Sequence, residues 1–194
     1  MEKKRILVCD EYKGIQGKAV NVISRTFDSL MNEVLIKQVY DDSKVYITPT
    51  MKEVEELEKA GVDIIAIDGT KRIRPNGMTL GKMVKEIKEK YPEQLLVADV
   101  SDFEEAVTAE NLGFDFTGTT MRSYTEYTER IKIPDFEFIG KLSKTLKTPI
   151  IAEGGISNPQ ELKEAIDSGA FCAVVGGAIT RPQNITRGFV KAIP

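Results

Sequence analysis

Histidine is absent from this chain. Its absence removes the commonest general base and the commonest metal ligand, so acid–base chemistry must fall to Lys, Asp, Glu, Tyr or Cys. Cysteine occurs only at Cys9 and Cys172, far apart and each inside an apolar run. Such a pair reads as reduced core thiols of a cytoplasmic protein and excludes a disulfide framework or a paired-cysteine metal site. Long hydrophobic runs are missing as well. Nothing approaches the roughly 20 apolar residues of a membrane span, and the opening MEKKRILVCDEYKG has no signal-peptide core. Positive charge is not in excess either. The net charge is −3 and no basic stripe stands out, which argues against a general nucleic-acid binder. What is present is ordinary for a globular protein, 41% hydrophobic and 29% charged over 194 residues. That is enough to bury one sizeable core, so a single domain over 1–194 is expected.

Short apolar runs bounded by turn residues recur at Ile6–Cys9, Ala19–Ile23, Val34–Ile36, Asp63–Ile67, Leu95–Ala98, Phe114–Thr117, Ile150–Ala152 and Ala173–Val175. They are too short for helices and read as buried strands. Helical periodicity falls between them, at Thr50–Ala60, Thr79–Lys90, Asp102–Leu112, Asp135–Leu146, Pro159–Ser168 and Pro182–Ile193. Caps are expected in Thr48-Pro49-Thr50, at Ser101, and in Asn158-Pro159. Eight strands alternating with helices predict an α/β protein with a (β/α)8 TIM barrel. The first third departs from that pattern. Only Asp10 to Lys18 separates the first two strands, and only Ser24 to Asn32 the next two. A parallel crossover needs a dozen residues or more. The first two outer helices are therefore shortened or missing, or the strand assignments there differ.

The most informative stretch runs from Pro149 to Pro182. A buried strand meets Glu153, then Gly154 and Gly155; a capped helix follows, then a second buried strand ending in Gly176 and Gly177. Glycine pairs at the carboxyl ends of parallel strands serve tight strand–helix turns. They also leave backbone N–H groups open to an anion, and ligands bind at that rim. Two pairs followed by Arg181 favour a phosphate site. Elsewhere on the same rim, Lys37 follows Val34-Leu35-Ile36, Asp68 precedes a basic loop with Lys71, Arg72 and Arg74, and Asp99 ends Leu95–Asp99. The basic loop reads equally as a solvated charge cluster with a stabilising carboxylate. Lys37, Asp99 and Glu153 around a cavity beside an anion site suit proton abstraction next to a carbonyl in a phosphorylated small molecule. Lysine serves as a base there only if its pKa falls from about 10.4 toward neutrality.

The segments VYITPT (45–50), DIIAIDGTKRIRP (63–75), VADVS (97–101), GFDFTGTTMRSYT (113–125), IIAEGGI (150–156) and VVGGAITRP (174–182) resemble the N-acetylmannosamine-6-phosphate 2-epimerase family. The likeness runs from about Leu35 to the C-terminus, with the motifs in order. It implies a (β/α)8 fold and interconversion of N-acetylmannosamine 6-phosphate and N-acetylglucosamine 6-phosphate, with no metal or organic cofactor. By motif, the family's catalytic lysine falls on Lys37, its catalytic glutamate on Glu153 and its strand-five aspartate on Asp99. The phosphate turns fall on Gly154, Gly155, Gly176 and Gly177, with Arg181 as the side-chain partner.

The first third departs from the family. Asp10, in VCDEY, stands where the family has a substrate-contacting glutamine, and a carboxylate cannot donate an amide N–H. The family's arginine after strand two has its nearest counterpart in Arg25, two residues out of register. Two further readings therefore stand beside an active epimerase: a degenerate barrel that binds a phosphosugar without turnover, and a different phosphate-binding barrel isomerase. A phosphosugar is the expected small-molecule partner, with neither nucleic acid nor membrane. Apolar positions among Ile6–Cys9 and Ala19–Ile23 without helix cover predict self-association, a homodimer, through that side.

Overall fold

The computed structural model describes the backbone at residues 5–13, 19–25, 34–39, 44–45, 47–190 and 192–193, and side chains from residue 44 onward except at 46, 184, 191 and 194. Eight strands close into a barrel in sequence order: β1 (Arg5–Lys13), β2 (Ala19–Arg25), β3 (Val34–Val39), β4 (Ile64–Asp68), β5 (Leu95–Asp99), β6 (Phe116–Gly118), β7 (Ile150–Glu153) and β8 (Cys172–Val175). From β3 to β8 neighbouring strands run parallel, and β8 closes in parallel onto β1, with Arg5 opposite Cys172 and Val8 opposite Val175. The brevity of the first two connections has a simple resolution. β2 runs antiparallel to both neighbours, pairing Cys9 with Ile23 and Asn21 with Lys37. Antiparallel strands need no crossover helix. The apolar side chains of Ile6–Cys9 and Ala19–Ile23, on which the expected self-association rests, lie outside the described residues.

Outer helices follow the later strands: α1 (Met51–Lys59), α2 (Leu80–Lys90), α3 (Phe103–Leu112), α4 (Phe136–Thr145), α5 (Pro159–Asp167), α6 (Gly177–Thr180) and α7 (Pro182–Val190). Within the expected stretch Thr48-Pro49-Thr50 it is Thr50 that caps α1, and Asn158 caps α5 ahead of Pro159. The third cap is corrected by one residue. Asp102, not Ser101, caps α3, because its carboxylate reaches the Glu105 N–H while the Glu105 side chain accepts from the Asp102 N–H. The four-residue α6 has no counterpart among the predicted helices.

Strand parity divides the apolar residues into two layers. Ile64, Ala66, Val97, Ile151, Cys172 and Val174 share one cluster with Ile47 and Met121 inside the barrel. Their neighbours in sequence, Ile65, Ile67, Leu96, Ala98, Ile150, Ala152 and Ala173, join the cluster made with Val54, Met83, Ile87, Ala106, Phe138, Leu142 and Ala165 of the helices. Burial on both faces is why these runs show no polar alternation. Asp68, Asp99 and Glu153 are the final residues of their strands and have the parity of the inner layer. The carboxylates are thereby aimed at the mouth.

Candidate active site

Asp68 is fully buried and organises the loop that follows it. Its Oδ1 accepts from the Thr70 N–H (3.0 Å) and hydroxyl (2.5 Å), Arg72 bonds its Oδ2, and the Arg74 guanidinium donates to its carbonyl oxygen. Arg74 is itself 2% exposed, and burial lowers its pKa from the ordinary value, with Asp68 opposing that effect. The stabilising carboxylate of the loop is thus present in Asp68 and Lys71 is exposed, but Arg72 and Arg74 are not solvated. Two of its three cations are folded back onto Asp68, Arg72 on its carboxylate and Arg74 on its main-chain carbonyl oxygen.

Asp99, one strand along and paired with Asp68 in the ladder, is 1% exposed. Its Oδ1 accepts from the Thr120 hydroxyl at 2.5 Å. On β7 the main chain of Glu153 is held by one side chain. The Thr119 hydroxyl donates to the Glu153 carbonyl oxygen (2.8 Å) and accepts from the Glu153 N–H (2.9 Å).

Beyond Glu153 the backbone turns through two left-handed residues, Gly154 (φ 116°) and Gly155 (φ 74°). At Gly155 a Cβ would lie 2.8 Å from the carbonyl carbon of Ile133 and 2.9 Å from its oxygen. Gly155→Ala therefore combines a disfavoured φ with a backbone collision. A loss of about 1–3 kcal/mol is expected, read as a lower denaturant midpoint at unchanged slope; an unchanged midpoint would count against this tight approach.

Glu153, Gly154, Gly155, Gly176, Gly177 and Arg181 line one cavity of about 710 Å³, with Tyr124 and Ser157 on its rim. Two helices start there, and they differ. The first turn of α5 is satisfied by its own residues: Asn158 accepts from the Glu161 N–H at 3.0 Å, and Glu161 accepts from the Ser157 N–H and hydroxyl, each at 2.8 Å. α6 begins at Gly177 with no side-chain cap. Its N-cap is Gly176, which has no side chain to accept from the opening N–H groups, a setting that suits an anion. Arg181, exposed at the end of α6, brings the side-chain cation.

The structure thus gathers the sequence-derived glycines, Glu153 and Arg181 around one space and sets Asp99 two strands from Glu153. Lys37 lies on β3, Asp10 on β1 and Arg25 on β2. The side chains of these three lie outside the described residues. Tyr124, Thr119 and Thr120 carry no individual signal as site residues in the sequence, and Ser157 carries only that of a cap and first turn with Asn158 and Pro159. The only sequence signal for the threonines is their place directly after a strand, in FTGTT.

A family model described as "Putative N-acetylmannosamine-6-phosphate epimerase" matches residues 13–194. A "Putative N-acetylmannosamine-6-phosphate 2-epimerase" of Clostridium perfringens (strain SM101) is 53% identical over 188 residues, covering 92% of this chain and 84% of the relative. A protein of the same description from Caldanaerobacter subterraneus subsp. tengcongensis is 51% identical over 159 residues, 82% of this chain and 67% of the relative. Among solved structures, the N-acetylmannosamine-6-phosphate 2-epimerase from Clostridium perfringens superposes with a TM-score of 0.73 at 51% identity, covering 81% of this chain and 68% of that one.

Proposed function

Because the chain belongs to the N-acetylmannosamine-6-phosphate 2-epimerase family, we infer that it interconverts N-acetylmannosamine 6-phosphate and N-acetylglucosamine 6-phosphate by removing and returning the C2 proton. The observation that carries this reading is a strand-end carboxylate, Glu153, on the wall of the same cavity as two diglycine turns and Arg181. In the open-chain sugar, C2 bears the acetamido group and adjoins the C1 aldehyde. Loss of its proton gives an enolate, and protonation from the other face inverts the centre. The chemistry asks for a proton carrier on each face. We assign these roles to Glu153 and Lys37, with the lysine ammonium also stabilising the enolate oxygen. Asp99 completes the set. Asp10 and Arg25 are proposed to contact the sugar. Phosphate held by Gly154, Gly155, Gly176, Gly177 and Arg181 anchors the substrate away from the reacting carbon, converting remote binding energy into orientation at C2.

The buried free thiol of Cys172 suits a reducing compartment, and the cytoplasm is the proposed location. A homodimer through the face of β1 and β2 belongs to the same proposal. No helix among the described residues is long and apolar enough to cross a membrane.

The test is direct. Incubated with N-acetylmannosamine 6-phosphate in D2O, the purified protein is expected to place deuterium at C2 and form the glucosamine epimer, followed by NMR. Binding without exchange would leave the degenerate barrel as the correct reading. For the phosphate site, Arg181→Ala is expected to raise KM about 10- to 100-fold, since a guanidinium–phosphate contact contributes roughly 1.5–3 kcal/mol. An unchanged KM for the phosphorylated sugar would remove Arg181 from the site.

A further inference from the structure

β6 lies between β5 and β7 in the barrel, so its end separates the two strands that carry Asp99 and Glu153. Three consecutive residues occupy that end, and each makes a different contact with one of the two acids. Gly118 is paired with Asp99 in the ladder, and a Cβ there would lie 2.6 Å from Asp99 Oδ1 and 3.4 Å from Thr120 Oγ1. Only a residue without a side chain lets the carboxylate occupy its place. The Thr120 hydroxyl then donates to that same oxygen at 2.5 Å. The Thr119 hydroxyl turns to the other strand and makes its two hydrogen bonds, at 2.8 and 2.9 Å, with the main chain of Glu153. The Thr119 N–H extends the ladder to the Ile151 carbonyl oxygen at 3.1 Å. Thr119 is 4% exposed, and neither threonine is among the lining residues of the 710 Å³ cavity.

We propose that Gly118-Thr119-Thr120 is a positioning device that fixes the Asp99 carboxylate and the main chain bearing Glu153 relative to one another for the C2 proton transfers. The proposal rests on the epimerase reading above and assigns these residues no contact with substrate. Its logic is geometric. A proton carrier must sit within about 0.5 Å of its productive position to be effective, and a long acidic side chain at a loop junction has no such precision of its own. Thr120 sets the position of the Asp99 carboxylate by an oriented donor. Thr119 fixes the point from which the Glu153 side chain springs. Because both grips come from adjacent residues of one strand end, the Asp99 carboxylate and the Glu153 backbone are referred to a single piece of backbone.

A purely structural threonine and a positioning threonine differ in what their replacements do. Thr120→Val keeps the shape and removes the donor; Thr120→Ser keeps the donor. The valine variant is expected to lose about 10- to 100-fold in kcat, the scale of one hydrogen bond to a charged group, with KM within about threefold because the phosphate anchor is untouched. The serine variant is expected to recover most of that loss. Thr119→Val and Thr119→Ser are expected to repeat the pattern through Glu153. A kcat equal to the parent's in both valine variants overturns the proposal, and so does an equal fall in kcat for serine and valine. The parent protein is assayed alongside. Absence of C2 exchange in the parent overturns the epimerase reading instead, and the device is then judged by crystal structures. Displacement of the Glu153 backbone in Thr119→Val, or of the Asp99 carboxylate in Thr120→Val, by more than about 0.5 Å supports it, and smaller shifts in both overturn it.

Discussion

Glu153→Gln is expected to stop inversion at C2 of the sugar while leaving slow exchange of the C2 proton with solvent from one epimer. Glutamine matches glutamate in size and still accepts a hydrogen bond, but it cannot carry a proton. The main-chain bonds from Thr119 do not depend on the side chain, so position 153 keeps its place. Deuterium should then enter at C2 with configuration retained, a product that a single carrier serving both faces would not give. Lys37→Ala is expected to suppress exchange from both epimers, because it removes one carrier and the cation beside the developing enolate together. Loss of a positioned acid or base lowers the rate by about 100- to 10,000-fold, far outside assay scatter. Near-parent epimerisation by Glu153→Gln, or free C2 exchange by Lys37→Ala, would move the proton carrier elsewhere, with Asp99 or the substrate's acetamido group next in line.

Glu105→Ala is expected to unfold the molecule more readily than any single catalytic substitution. This residue is 4% exposed, and its carboxylate collects donors from three loops above the strands. Oε2 accepts from the Ser101 N–H (2.8 Å), the Ser101 hydroxyl (2.7 Å) and the Asp102 N–H (3.2 Å), all after β5. Oε1 accepts from the Lys71 N–H (3.0 Å) after β4 and from the Tyr127 hydroxyl after β6. Burial first, and the bond to Glu105 second, push the Tyr127 hydroxyl above its usual pKa, so it remains a donor at neutral pH. Alanine would leave these donors facing a void. Each buried donor without an acceptor costs about 1–3 kcal/mol, and because such losses overlap, the total is expected at roughly 3–5 kcal/mol. Against a domain stability of about 5–15 kcal/mol, that is a large share. Glu105→Gln keeps one oxygen for the β5 donors and sets an NH2 against the Lys71 N–H, so about 1–2 kcal/mol is expected. Urea unfolding of the two variants measures both values. A loss below about 1 kcal/mol for alanine would mean that water replaces the carboxylate and that the loops hold without it.

Most elements from β4 onward were legible because the strands are buried on both faces and most of the helices show a one-sided apolar face behind a recognisable N-cap. Thr50 and Asn158 illustrate this, each being a good cap followed by a helical apolar pattern. Ser101 shows the limit. Ser and Asp are comparable caps, and the choice between Ser101 and Asp102 turns on where Glu105 folds back, which is tertiary information. The direction of β2 was illegible for another reason: an apolar run has no arrow, and only its short connections pointed away from a parallel crossover. α6 is too short to display a period. In the site, Glu153 and the glycine pairs stood out because unusual residues at strand ends are rare. Arg74 did not, since a buried arginine and a solvated one look alike in sequence. The threonines after β6 were silent too, because their partners lie more than twenty residues away in the chain.

The reversed β2 also shapes how the barrel comes together in time. β1 meets β2 across the five residues 14–18, whereas β1 meets β8 only when Arg5 finds Cys172. Intervening chain differs between these two junctions by about five doublings of length, and at ~0.6 kcal/mol per doubling the second closure carries on the order of 3 kcal/mol more entropic cost. The first three strands can therefore form from near neighbours, while the β1–β8 seam waits for the rest of the sheet to be ordered. The glycine turns after β7 and β8 lie on the neighbouring β7–β8 junction, to one side of this seam. A phosphorylated ligand bridging those turns would tie β7 to β8 and so steady the strand onto which β1 must close.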